Sequence, residues 1–169
     1  MRTDLARFFS PRSIAMIGAS TDLVSISGQP LKHLLAHKYA GKLYPVNPKY
    51  PEILGVKCYP SLAALPEAPD LALVLINAAR VADVLRECGR LGVPYAIIFS
   101  SGFSETGGKG IAMQQELMAI AAEFNIGVIG PNCQGMTNPG EGVYAGFGSA
   151  FGADYAAGRI SMVSQSGGF

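Results

Sequence analysis

Four short stretches of this 169-residue chain carry side chains and turns suited to chemistry. Gly18-Ala19-Ser20 follows the apolar run Ile14–Ile17, and Gly28 and Pro30 follow after a polar gap. Asn47-Pro48-Lys49 closes a second apolar run, Ser100-Ser101-Gly102 a third, and Gly130-Pro131-Asn132-Cys133 a fourth. Small residues let the main chain approach a phosphate, and a hydroxyl such as that of Ser20 can donate to one. A strand feeding a loop and then a helix N-terminus directs free N–H groups and the positive helix end at one place. The chemistry this points to is the grip of a nucleotide diphosphate.

Covalent and metal chemistry are less well supplied. Cys133 has no histidine near it in sequence to lower its pKa, so it reads as a small buried residue. The two histidines, His33 and His37, share a helix face and invite a metal pair. No third ligand accompanies them, and a solvated helix surface is the simpler reading.

The nucleotide is narrowed by what is missing. A dinucleotide fold of the NAD type wants G-x-G-x-x-G directly after strand one and an acidic residue closing strand two. Here Gly18 is followed by Ala-Ser-Thr-Asp, the next glycine is Gly28, and strand two ends in Val46-Asn47-Pro48-Lys49. A lysine at that end favours an extra phosphate on the ribose. NADP and a 3′-phosphorylated adenosine nucleotide both satisfy it.

The elements that must position these residues alternate. Strands are expected at Ile14–Ile17, Lys42–Val46, Leu71–Ile76, Tyr95–Phe99, Ile126–Ile129 and Ile160–Val163, with a short extra one over Gly55–Tyr59. Helices are expected from about Gly28 to Lys38, with Ser27 as cap, and from Val81 to Leu91. Another carries Leu117, Ile120, Ala121 and Phe124, and one helical turn covers Ser61–Leu65. Leu5, Phe8 and Phe9 are available to pack under the sheet. Phe103 reads as core and Glu105 as a cap of the last helix. Residues 135–158, rich in Gly and Ala, read as a long loop with a hairpin around Val143–Phe147. Strand–helix alternation with continuous apolar strands predicts an α/β fold, a Rossmann-like doubly wound parallel sheet. In such sheets ligands bind beyond the carboxyl ends of the strands, where all four stretches fall.

Composition bounds the rest. Hydrophobic residues make up 49% and charged ones 15%, and the net charge of +1 argues against nucleic-acid or membrane-surface binding through bulk charge. Cys58, Cys88 and Cys133 have neither metal spacing nor pairing parity, which suits a reduced, cytoplasmic setting. No stretch approaches a membrane span, and Met1–Phe9 lacks the core of a signal peptide.

Several ordered motifs resemble one family. Phe9-Ser10-Pro11-Arg12-Ser13-Ile14-Ala15-Met16-Ile17-Gly18-Ala19-Ser20 is similar to the start of the CoA-binding domain of ADP-forming acyl-CoA synthetases, relatives of the succinyl-CoA synthetase alpha subunit. Gly41–Lys49, Ser101–Glu105 and Gly130–Gly135 resemble its later motifs, and Gly158–Gly168 resembles the opening of its next domain. The resemblance implies a CoA-binding domain over residues 1–158 and the start of a second domain over 159–169. It implies that Gly18, Ala19, Ser20 and Gly28 hold CoA and that Lys49 meets a phosphate of its ADP moiety. Asn47 and Pro48 would shape the adenosine pocket. Ile76, Asn77 and Ala78 would line the adenine or ribose, although the family often has proline where Asn77 stands. Ser100, Ser101 and Gly102 would pass the pantetheine arm, and Asn132 and Cys133 would face the thiol. Ser164, Ser166 and Gly167 would form a turn facing a phosphohistidine.

The family's reaction makes acyl-CoA from a carboxylic acid, CoA and ATP through phosphohistidine and acyl phosphate. Its ATP and Mg belong to an ATP-grasp domain or subunit, and its catalytic histidine matches neither His33 nor His37. This chain would then hold the CoA-binding part and no catalytic residue. A stand-alone CoA-binding module, the synthetase-like regulatory region of a protein acetyltransferase, and an NADP-dependent oxidoreductase are the competing readings.

Overall fold

The computed structural model describes residues 4–164. The short helix α1 (Ala6–Phe9) leads into strand β1 (Ser13–Ile17), helix α2 (Gln29–Ala36) and strand β2 (Lys42–Val46). A two-residue ladder, β3 (Glu52–Ile53) with β4 (Val56–Lys57), precedes β5 (Leu71–Val74). Helix α3 (Val81–Arg90), β6 (Tyr95–Ile98), α4 (Lys109–Glu123) and β7 (Gly127–Ile129) follow. The hairpin β8 (Gly135–Asn138) with β9 (Val143–Gly146) comes last.

The main sheet runs β2-β1-β5-β6-β7, and every pairing in it is parallel. Its inner strands β1, β5 and β6 are buried on both faces, which is why they read as unbroken apolar runs. Side chains alternate between the faces. Ala15, Ile17, Ala72, Val74, Ala96 and Ile98 pack with Leu85 and Cys88 of α3 and Leu117 and Ile120 of α4. Ile14, Met16, Leu71, Leu73 and Ile97 pack with Leu31 and Leu34 of α2, with Phe8, and with Val143 and Ala145 of the hairpin. A hairpin therefore covers the part of this second face that a helix would fill in a fully wound fold.

One ionic knot fixes the amino end of the sheet. Asp70, 1% exposed, accepts from the Arg12 amide at 3.0 Å and from Arg12 Nε at 2.8 Å. It also accepts from Arg12 Nη2 at 3.0 Å and Arg7 Nε at 2.9 Å, and its own amide donates to Ser13 Oγ. Burial pushes this carboxyl upward, but the Arg12 and Arg7 bonds outweigh burial and hold it at about 2.

Several expectations change. Helix α2 has Gly28 at its N-cap and no side-chain cap, and the Ser27 hydroxyl pairs with that of Ser25 instead. Phe8 is buried but Leu5 and Phe9 are exposed, since α1 is a single turn with only one face against the sheet. The expected short strand over Gly55–Tyr59 is only the second arm of the β3–β4 ladder, with Tyr59 bridging to Val46. Ile160–Val163 is not a strand, and Ile160, Met162 and Val163 are exposed. A buried parallel strand needs a ladder partner and two covering layers, and no described residue supplies them. Ser166 and Gly167 of the expected turn lie outside the described residues.

Candidate functional site

The carboxyl ends of the strands gather every stretch singled out above. Helix α2, after β1, covers one face, and α3, after β5, covers the other. The connections leaving these neighbouring strands thus part in opposite directions, which opens a crevice between the loops after β1 and β5.

Gly18 stands at its base. Its φ of +90° lies in the left-handed region, and a Cβ there would sit 2.6 Å from the Leu75 carbonyl oxygen. The backbone so admitted lies between two strand ends, with the Gly18 amide donating to the Val46 carbonyl at 2.9 Å and the Leu75 amide to that of Ile17 at 2.9 Å. Beyond it the loop folds on itself. The amide of Ser20 donates to the Ser27 carbonyl, and those of Gly28 and Gln29 donate to that of Ser25. Gly28 is needed for this closure, because a Cβ would meet the Asp22 carbonyl oxygen at 2.1 Å. The Ser20 hydroxyl accepts from the Asp22 amide at 3.0 Å and keeps its own proton to donate.

Asn47 joins the second stretch to the first. Its Nδ2 donates to the Ala19 carbonyl at 2.8 Å, and its Oδ1 accepts from the Lys49 amide at 3.0 Å. Pro48 and Lys49 are exposed, and the Lys49 ammonium has no ion-pair partner among the described residues. A free cation is thus held on a loop tied directly to the glycine turn.

The remaining residues form the adjoining wall. The Ser100 hydroxyl donates to the Ile76 carbonyl, and the Asn132 amide donates to the Ser100 carbonyl at 3.0 Å. Asn77 Oδ1 accepts from the Ala79 amide at 3.0 Å, which starts the turn into α3. Ala78 packs beside Gly102, whose φ is +104°. Ser101 is exposed. The Cys133 thiol donates to the Ile98 carbonyl at 3.5 Å, and burial raises its pKa, so it rests as the thiol and not as a nucleophile.

Of the two side chains that follow Gly102 in the expected scheme, one departs from it. Phe103 is fully buried, as expected. Glu105 does not cap α4; its carboxylate accepts from the Gly102 amide at 2.6 Å and the Phe103 amide at 3.2 Å. The Gly102 bond foremost keeps its pKa below the ordinary carboxylate range.

The histidines are not a solvated surface. His33 is buried and its Nδ1 donates to the Gly146 carbonyl at 3.0 Å, with burial lowering its pKa so that it stays neutral. His37 Nε2 lies 3.1 Å from the Phe151 carbonyl, and its ring stacks on Tyr144 with centroids 3.5 Å apart. The described residues hold no cluster of three or more potential metal ligands. Gln29, at the start of the same helical stripe, was missed altogether. The signal was present in the spacing of Gln29, His33 and His37, each four residues apart, but nothing local says that a hairpin covers that stripe.

A cavity of about 540 Å³ lies beside Arg7, Arg12 and Asp70 at the amino end of the sheet, and one of about 620 Å³ lies along the edge strand β7, between it, α1 and α4. Neither is lined by any of the rim residues. No helix among the described residues is long and apolar enough to cross a membrane.

Fold and rim together define a doubly wound α/β domain with a crevice at the carboxyl ends of β1 and β5. Residues 12–139 match the CoA binding domain family, and the chain belongs to it. It is 39% identical over 165 residues to an ADP-forming acetate–CoA ligase I of Archaeoglobus fulgidus, covering 98% of this chain and 23% of that protein. It is 42% identical over 132 residues to a trans-feruloyl-CoA synthase of an unknown prokaryotic organism, covering 78% of this chain and 19% of that one. Among solved structures it is similar to the acetyl-coenzyme A synthetase 1 of Ca. Korarchaeum cryptofilum in complex with phosphate and ADP. There the TM-score is 0.83 and the identity 37%, over 87% of this chain and 31% of the other. The chain spans about a fifth to a quarter of the length of these two curated relatives.

Proposed function

We propose that this chain is the CoA-binding part of an ADP-forming acid–CoA ligase, an enzyme joining a carboxylic acid to CoA at the expense of ATP. The observation that carries it is the Lys49 ammonium, without an ion-pair partner among the described residues, on a loop bonded through Asn47 to the Gly18–Ser20 turn. A diphosphate set against Ser20 and the turn leaves the 3′-phosphate of an adenosine as the natural partner for the Lys49 ammonium. The family to which residues 12–139 belong and the ligase names of the relatives support the reading.

In the proposed division of labour these residues bind and orient. The wall formed by Ile76–Ala78, Ser100–Gly102 and Asn132–Cys133 guides the pantetheine arm away from the adenosine and keeps it in one conformation. Holding the thiol in place turns a bimolecular attack into an oriented one. The attacking sulfur is that of CoA, consistent with Cys133 resting as a thiol. Phosphoryl transfer from ATP, with its Mg and histidine, belongs to an ATP-grasp domain or subunit and to a second domain. His33 and His37 are engaged in holding the hairpin and are not free for it. Relatives named for acetate and for trans-ferulate resemble this chain about equally, so the acid is selected elsewhere.

Calorimetric titration with CoA, dephospho-CoA and NADPH tests the proposal. CoA is expected to bind tightest, dephospho-CoA more weakly and NADPH least. Preference for NADPH would replace this reading with an oxidoreductase.

A further inference from the structure

Helix α2 presents three polar side chains on one stripe, and each bonds to the main chain of the segment leaving β9. Gln29 Oε1 accepts from the Gly148 amide at 2.8 Å. His33 Nδ1 donates to the Gly146 carbonyl, and His37 Nε2 meets the Phe151 carbonyl. Residues at i, i+4 and i+8 lie along one face of a helix, so the stripe forms a clasp about two turns long. Gln29 differs from the histidines in having a second partner. Its Nε2 donates to the carbonyl of Val24, in the middle of the Ser20–Gly28 loop, at 2.8 Å. The two bonds settle the orientation of the amide, because a carbonyl can only accept and a backbone N–H can only donate.

We infer that Gln29 is a positioning residue for CoA, fastening the Ser20–Gly28 loop to the strap that leaves β9. The inference rests on the reading that this loop holds CoA. The bonds within the loop are local, among them Gly28 and Gln29 amides to Ser25, Ser20 to Ser27, Asp22 to Ser20, and Val24 and Ser25 amides to Asp22. Gln29 provides the contact between the loop and residues more than 100 positions further along the chain. A ligand that shifts the loop therefore pulls on Gly148, and a strap that moves changes the loop. Because the loop serves the diphosphate, loosening it weakens CoA and dephospho-CoA alike, whereas Lys49 distinguishes the two.

The test is a ¹⁵N NMR titration of the chain with CoA, alongside calorimetry of Gln29→Met and Gln29→Glu. In the unmodified chain CoA is expected to shift the amides of Gly18, Ser20 and Gly148. Gln29→Met is expected to bind CoA and dephospho-CoA about fivefold more weakly, the effect of one net hydrogen bond. In that variant Gly148 stops responding, while Gly18 and Ser20 still shift at saturation. Gln29→Glu keeps an acceptor for Gly148 but cannot donate to Val24, and is expected to be as weak. Wild-type affinity in both variants overturns the inference, as does a Gly148 amide indifferent to CoA in the unmodified chain. The latter readout decides even if a variant fails to fold. Failure of the unmodified chain to bind CoA overturns the functional reading first and this inference with it. CoA binding that ignores Gln29 overturns this inference alone.

Discussion

Asn47 Nδ2 donates to the Ala19 carbonyl at 2.8 Å, which joins the loop after β2 to the loop after β1. The same side chain holds the Lys49 amide through Oδ1. One residue thereby ties the glycine turn to the segment that carries Lys49. Asn47→Ala is expected to weaken CoA about tenfold through loss of both bonds, and Asn47→Asp at least as much. The aspartate cannot donate to Ala19 and brings a negative charge toward the phosphates. Calorimetry of the two variants checks this; binding of CoA by Asn47→Asp at wild-type strength would remove Asn47 from the site.

Lys49→Ala is expected to lower CoA affinity about fivefold and leave dephospho-CoA unchanged. An exposed ion pair contributes on the order of 1 kcal/mol. The CoA affinity of the unmodified chain should also fall more steeply with added salt than that of the variant. Equal binding of both CoA forms by the unmodified chain would deny Lys49 its role.

Acid should unfasten the amino end of the sheet. The folded Asp70 carboxyl sits at about 2 against an ordinary 3.8. A depressed carboxyl contributes its stability in full above the unfolded value, and loses it as pH falls from about 4 toward 2. Urea midpoints measured across that window should drop in the unmodified chain and drop less in Asp70→Asn. At pH 7 the Asn variant should be destabilised by about 2 kcal/mol, less than for a pair buried on both sides, because Arg7 and Arg12 can return to water.

Gly18→Ala combines a left-handed φ with a Cβ 2.6 Å from the Leu75 carbonyl oxygen. Both parts oppose the change, and backbone cannot yield as a side chain can. A loss of at least about 2 kcal/mol in urea unfolding is expected. An unaltered midpoint would mean that β1 and β5 part more easily than their ladder suggests.

The five expected strands of the main sheet form, because buried parallel strands write themselves as apolar runs. Gly55–Tyr59 yields only the Val56–Lys57 arm of a ladder, and Ile160–Val163 yields none. Glycine turns were equally plain, since Gly18 and Gly28 stand where no side chain fits. The hairpin was legible only in outline. Val143 and Ala145 face the core, but β8 is half exposed and carries no clean alternation. His33 and His37 were misread because a polar stripe beside Leu31 and Leu34 looks the same whether water or a hairpin backbone covers it. Glu105 was placed on the wrong partner for a like reason: a carboxylate near a helix start can turn to any amide within reach.

The layers, the strand ends and the residue types available at the crevice follow from local pattern, because burial period and turn chemistry act over a few neighbours. Long-range packing chose that Asn47 meets Ala19, that Ser100 meets Ile76 and that Gln29 reaches Gly148. Those pairs lie 24 to 119 positions apart. Partners at such separations are chosen by strand order and by what packs on each face, which local patterns do not encode.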